Sequence, residues 1–300
     1  MRKYIIPLIC YSLILLVLLN VDKISDFLTK TISNNNILTV GPGNDYTKDY
    51  NFLYIENSDD YIPYSYNDLK NILYSVINQG WMEFTFYCPS EYKECIEDIS
   101  KISKDDLLLT HINNYVHPYN SFKTISFTYS ESGKFSLIVE HLYSSEQITA
   151  INYVVDEKIN SLIKDSMSNE EKIKVIHNYI IDNAKYDTLK TENIHDDTYK
   201  SNTAYGVLIE GYGICSGYSD AISVFLNKLG INNYKISNDT HIWNLVYING
   251  VWVHLDATWD DPVSEFNENR DTYFLINTEE LLKLKDDTHS FDKNIYIEAN

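Results

Sequence analysis

A chain of 300 residues that is 44% hydrophobic and 22% charged has globular proportions and room for two modest domains, which argues against wholesale disorder. The formal net charge of −19, unrelieved by any Lys/Arg cluster, argues against nucleic-acid partners, because phosphate backbones repel such a surface. Arg2 and Arg270 are the only arginines, and Cys10, Cys88, Cys95 and Cys215 the only cysteines. Bidentate arginine clamps, a disulfide scaffold and a C-x-x-C zinc knuckle are therefore all unexpected.

Behind Arg2 and Lys3, Tyr4 to Leu19 carries no charged side chain, and Asn20 and Val21 extend the run to Asp22. At 1.5 Å per residue such a segment just spans a hydrocarbon core, so residues 1–21 are expected to form a transmembrane helix. Leu19-Asn20-Val21 offers no small-residue cleavage pattern, so an uncleaved signal anchor is preferred to a signal peptide removed after secretion. The positive-inside rule keeps Arg2 and Lys3 in the cytoplasm and places the remainder outside it. Cys10 falls within this span as an apolar filler.

Residues 22–60 are polar and Asn-rich, with Gly41-Pro42-Gly43, and are expected to be a stalk with one short strand at Ile37–Val40. Residues 61–150 suggest a small α+β module. Leu69, Ile72, Leu73, Val76 and Ile77 have helical spacing up to Gly80, and Trp81–Cys88 alternates as a strand does. A helix through Ile96 and Ile99 follows from Ser90, then a second capped by Asp105 through Leu108 and Ile112. Phe122–Tyr129 and Phe135–Tyr143 flank Ser130–Gly133 as a β-hairpin. Cys88 and Cys95 form either a disulfide or two free apolar thiols. His111, His117 and His141 show no metal-ligand pairing and are expected to be surface or hydrogen-bonded residues.

The region 151–300 carries the chemistry. A helix is expected from about Thr149 to Lys164, and another from Ser168 with a Ser168/Glu171 capping box. In Glu210-Gly211-Tyr212-Gly213-Ile214-Cys215-Ser216-Gly217 the glycines allow close backbone approach. Ala221, Ile222, Phe225, Leu226 and Leu229 then mark a buried helix face ending at Gly230. Cys215 thus stands at a helix N-terminus, where free N–H groups favour a thiolate and can hold an oxyanion. A buried structural cysteine is the competing interpretation of that segment alone.

His241–Ile248 and Val251–Thr258 are strand-like runs joined by Asn249-Gly250, a strong hairpin signal that sets Ile248 opposite Val251. His241, Trp243, His254 and Asp256 then share one face. His241 and Asp256 are diagonal neighbours, about 7–8 Å apart at the backbone. The other face (Ile242, Asn244, Val246, Ile248, Val251, Val253, Leu255, Ala257) is apolar except for Asn244 and is expected to be the buried one. Asp256 can orient the His241 imidazole, whose second nitrogen can take the proton of Cys215.

The motifs G-Y-G-I-C-S-G-Y-S, H-I-W-N and L-D-A-T-W-D-D-P, in this order, resemble the bacterial transglutaminase-like (transglutaminase core) superfamily from about 170 to 285. The resemblance implies an α+β, papain-like cysteine-proteinase/transglutaminase core, with the nucleophile on a helix packed against an antiparallel sheet. It assigns Cys215 as nucleophile, His241 as base and Asp256 as orienting acid, and extends to a strand at Tyr273–Ile276. Members include peptidases, other amide-cleaving enzymes, protein cross-linkers and proteins without known activity. The implied function is a thioester-forming enzyme acting on amide carbonyls of a protein or peptide at the cell surface, most simply a hydrolase. Alternatives are a cross-linking acyltransferase and a non-catalytic adhesin or assembly module. No nucleotide, metal or other cofactor is expected, since no P-loop, Rossmann glycine run, H-E-x-x-H or EF-hand spacing occurs. Oligomeric state is not legible.

The position six before the thiol, often glutamine in papain-like peptidases, is Ile209. The Cys215 N–H then needs a second oxyanion donor, for which Tyr205 is the candidate. Trp243 and Trp252 could shield the dyad or line a cleft, and His254 could lie at a substrate rim. Asp260, Asp261, His177 and His195 are expected to be structural or solvated, and Ser216 lacks a base. A rival assignment takes Gly213-x-Cys215-x-Gly217 as a nucleophile elbow with Asp256 and His289, and requires parallel strands. Only that rival is expected to lose activity in His289→Ala.

Overall fold

The computed structural model describes residues 20, 23, 41–130, 133–261, 270–285 and 287–299. The expected anchor over 1–21, apart from Asn20, and the strand at 37–40 lie outside them. Among the described residues, no helix is long and apolar enough to cross a membrane.

Eight helices and eight strands follow one another among the described residues, with short 3₁₀ turns and one π-helical turn at Gly206–Glu210. In the N-terminal half, α1 is Tyr66–Asn78, β1 Glu83–Tyr87, α2 Cys95–Ile102, α3 Asp106–Tyr115, β2 Phe122–Tyr129 and β3 Lys134–His141. Ser65 caps α1 by accepting from the Asp68 amide, and Gly80 stops the chain beyond it at φ 72°. Asp105 caps α3 as expected. The strands form an antiparallel sheet in the order β1-β3-β2. The stretch from Ser90 is a turn rather than helix until Cys95, and Cys88 and Cys95 are joined as a disulfide with Cα atoms 5.8 Å apart.

The C-terminal half comprises α4 (Ser145–Leu162), α5 (Asn169–Asn183), β4 (Lys185–Tyr186), α6 (Thr188–Glu192), β5 (Tyr212–Gly213), α7 (Cys215–Lys228), β6 (Asn233–Ser237), β7 (Ile242–Ile248), β8 (Val251–Leu255) and α8 (Thr278–Lys283). Helix α4 starts earlier than its apolar spacing suggests, because Ser144 and Gln147 form a capping box. The same device opens α5 at Ser168 and Glu171. Strands β6-β7-β8 are antiparallel, and Ile248 pairs with Val251 across Asn249 and Gly250, both at positive φ. The expected strand at Tyr273–Ile276 is a correction. Ile276 makes an isolated bridge to His254, and the Tyr273 carbonyl accepts from the Asp256 amide, but Leu275 at φ 50° breaks any ladder.

Two cores lie on either side of the β6-β7-β8 sheet. Val246, Ile248, Val253 and Leu255 pack with α4, α5 and α7 in one of them. Tyr234, Ile236, Trp243 and Leu245 pack with Leu69, Ile72, Ile112 and Tyr115 of the N-terminal half in the other. Burial of a single hairpin face was therefore too simple. The face bearing Trp243 and Leu245 is closed by the N-terminal elements, because its own large apolar groups need cover. Nor does the segment 41–60 stand off as a stalk. Phe52 and Ile55 are buried in the first core, Asn44 bonds Asn120, and Lys48 Nζ donates to the Asn233 carbonyl. Sparse apolar residues in a polar sequence sufficed to fold it back.

Candidate active site

The start of α7 is positioned by backbone. Ile214 N–H donates to Ser201 O, Asp187 N–H to Gly213 O, and β4 pairs with β5 in parallel. A Cβ on Gly217 would lie 2.2 Å from Ser201 O, and one on Gly213 2.5 Å from Val207 Cγ2, so no side chain fits at either position. No side chain caps the helix start at Ile214, which leaves the dipole end to the part-exposed Cys215.

Two polar side chains tie α7 to the strand carrying His241. Ser219 Oγ shares its one hydroxyl proton between Cys215 O and Ile242 O, at 2.7 and 3.0 Å. Asn244, the one polar residue on the apolar hairpin face, donates from Nδ2 to Ser219 O and Ser223 Oγ at 3.0 and 2.9 Å. Its amide replaces an apolar contact with a fixed helix-to-strand register.

The Asp256 Oδ2 atom accepts from His241 Nε2 at 2.5 Å and from His289 Nε2 at 2.9 Å. Its Oδ1 accepts from the Thr258 and Trp259 amides at 2.8 and 3.4 Å. All three side chains are buried. Burial alone would raise the Asp256 carboxyl, but the hydrogen bonds from His241 and His289 outweigh it and hold the group well below the usual carboxylate range. Burial likewise opposes a charged His241, yet its side-chain hydrogen bonds to Asp256 and Cys215 prevail and push it up to about 10. With Nε2 on Asp256, Nδ1 is the ring nitrogen left for the thiol. Imidazole and carboxyl are thus hydrogen-bonded, and Cys215 lies near enough to help raise the imidazole.

The raised His241 value has a testable sign. Its imidazolium contributes stability fully below its ordinary value of 6.5 and loses it as pH rises through about 10. Urea titrations over a pH series should show this alkaline loss in the wild type and not in His241→Gln.

Other residues fall differently from expectation. His254 is no substrate-rim residue. It is buried, accepts from Trp243 Nε1 at 3.0 Å and contacts Thr278 Oγ1 at 3.0 Å. Burial, with His289 nearby, pushes it down to about 3, so it stays neutral. Trp243 lines no cleft. It is buried, with its ring stacked on His241 at 5.6 Å and 15°. Trp252 is partly buried against the first core. Tyr205 is partly buried against the second core. Ser216 Oγ donates to Asn202 O. His177 is buried on Asp260, Asp261 accepts from Tyr218, and His195 is exposed. His111 and His117 are buried, the first against the Tyr296 hydroxyl, and His141 contacts Gly80 O.

Two neighbours were not singled out from sequence, and a third entered only through the rival scheme. Tyr186, opposite Gly213, is raised first by burial and then by Cys215 and Asp256, which places it electrostatically beside both. Trp259 is 44% exposed and sets its edge against the His241 ring at 6.3 Å, the one large ring of this cluster open to solvent. The third is His289. The antiparallel sheet removes the nucleophile-elbow alternative, yet His289 still reaches Asp256. His289→Ala therefore no longer separates the two schemes.

His241, Asp256 and His289 also form a donor set of the kind zinc uses, with ligand atoms within 4.8 Å of one another. A tetrahedral ion with bonds of ~2.0–2.2 Å keeps its ligand atoms about 3.4 Å apart. The 2.5 and 2.9 Å separations at Asp256 Oδ2 are those of shared protons instead. A cavity of about 450 Å³ lined by Tyr46, Lys48, His117 and Lys228 opens beside the other end of α7 and includes none of these groups.

The family model of the transglutaminase-like superfamily matches residues 156–257, the stretch that carries Cys215, His241 and Asp256. A solved structure described as "Crystal structure of a TGase" is similar at 17% identity and a TM-score of 0.36, over 50% of this chain and 47% of that one. The similarity thus spans about half the length of that protein. No curated protein matches the chain. Residues 156–257 are thus similar to the transglutaminase-like superfamily.

Proposed function

We propose that the protein is an exported, membrane-anchored thiol enzyme of papain-like type that cleaves amide or peptide bonds through Cys215, His241 and Asp256. The observation that carries this is a buried imidazole hydrogen-bonded to a carboxylate and raised further by Cys215, which is part-exposed at a helix N-terminus. The Cys215 thiolate attacks the carbonyl carbon, and helix-start N–H groups take up the negative charge on its oxygen. As the C–N bond breaks, the His241 imidazolium gives its proton to the departing amine, leaving a thioester and neutral imidazole. His241 then takes a proton from water, whose oxygen displaces the sulfur to yield the acid and restore the thiolate. The Cys88–Cys95 disulfide suits an oxidising compartment outside the cytoplasm.

The test uses the full-length chain in detergent. Iodoacetamide at pH 6 should label wild-type Cys215 at least ~10-fold faster than free cysteine, because a thiolate rather than a thiol reacts. Labelled casein should be cleaved by the wild type and not by Cys215→Ala. Labelling no faster than free cysteine would leave a non-catalytic surface module. Incorporation of an amine donor without cleavage would make the protein a cross-linking acyltransferase.

A further inference from the structure

We infer that His289 is a positioning residue that locks the Asp256 carboxylate in the orientation the His241 imidazolium requires. The assignment rests on the proposed triad and goes beyond it, adding a second histidine to the acid's other flank.

Asp256 directly follows β8, where the ladder has stopped, so its side chain depends on contacts outside the sheet. Its Oδ1 is fixed by two backbone amides, but that edge alone leaves the carboxylate free to tilt about it. His289 Nε2 at 2.9 Å closes the other edge, filling the Oδ2 lone pair that His241 leaves open. The tautomer with its proton on Nε2 fits both ring contacts. Nε2–H donates to Asp256, and Nδ1 accepts from the Thr288 hydroxyl at 3.2 Å.

The ring is itself tightly held. It stacks on Tyr273 at 4.5 Å and 16°, and meets Trp243 edge-on at 4.9 Å. Its turn is tied to the strand delivering His241 through Asn238, whose Nδ2 donates to Thr288 O and Ser290 O at 2.7 and 2.8 Å. The same side chain accepts the His241 amide at Oδ1, 2.9 Å away. One asparagine thus registers both histidines to each other. A merely space-filling ring would need neither the Nε2 contact nor this tie.

The experiment compares His289→Phe, which keeps an aromatic ring on Tyr273 but removes the donor, with His289→Gln, whose amide nitrogen can reach the Nε2 position. The full-length chain in detergent is assayed for iodoacetamide labelling of Cys215 from pH 4 to 9 and for cleavage of labelled casein. Thermal melts establish folding. His289→Phe should lower kcat about 10–100-fold with KM little changed, well short of the ~10⁴-fold loss typical of an orienting acid. Its labelling profile should shift toward higher pH, and His289→Gln should recover most of both. In the wild type, ¹⁵N spectra of the imidazoles should report the Nε2–H tautomer at His289, a readout that needs no variant to fold. A wild-type profile for His289→Phe, equal impairment of folded Phe and Gln variants, or an Nδ1–H tautomer would each overturn the assignment. Wild-type labelling no faster than free cysteine would instead bring down the triad, and this role with it.

Discussion

Turnover should fall by about 10⁴-fold in Asp256→Asn while the fold is retained. The reason is an acceptor shortage. In the native site four donors converge on one carboxylate, two imidazoles at Oδ2 and two backbone amides at Oδ1. An asparagine has a single acceptor oxygen, so one of these donor pairs must face its NH₂ group. If the oxygen stays with the amides, His241 loses the negative charge that stabilises its imidazolium and the contact that fixes its tautomer. If it turns to the histidines, the Thr258 and Trp259 amides are left against donors in a buried site. Steady-state cleavage of labelled casein measures the loss, and iodoacetamide labelling locates it at the thiolate. Activity within ~10-fold of wild type would show that Asp256 does not orient the base.

The largest expected stability effect lies one turn along α7. Asp220 forms a buried ion pair with Lys235 of β6 at 2.7 Å and accepts from the Tyr143 hydroxyl at 2.6 Å. That hydroxyl in turn accepts from the Ala204 amide at 2.7 Å, in the segment packed against the start of α7. Truncating Asp220 to alanine strands a buried ammonium, and loss of one partner of such a pair costs about 3–5 kcal/mol. Urea denaturation should show the full loss in Asp220→Ala. The double variant Asp220→Ala/Lys235→Met should recover most of it, because the isolated charge is gone. No recovery would mean that the Tyr143 link, rather than the ion pair, holds this corner together.

Much of this arrangement was legible in the chain. Asp105 and Ser168 act as helix caps because a short polar side chain can satisfy amide donors three residues on, a purely local matter. Asn249-Gly250 imposes the β7–β8 register because few residues tolerate two successive positive φ angles. From that register alone, His241 and Asp256 fall within side-chain reach of each other. Where local signals misled, tertiary packing had intervened. Alternation along the hairpin predicts a sheet with one open face, but Trp243 and Leu245 are covered by α1 and α3. The same cover puts His254 in a buried bond with Trp243 instead of at a substrate rim.

Local backbone chemistry and strand periodicity, both properties of neighbouring residues, thus wrote into the sequence the helix starts, the hairpin and the pairing of imidazole with carboxylate. The folding back of residues 41–60 and the closing of the sheet's second face depend on burial between segments far apart in the chain. So does the arrival of His289 at Asp256, 33 positions away. Such contacts are chosen by how whole layers exclude water, and no window of neighbouring residues encodes that choice.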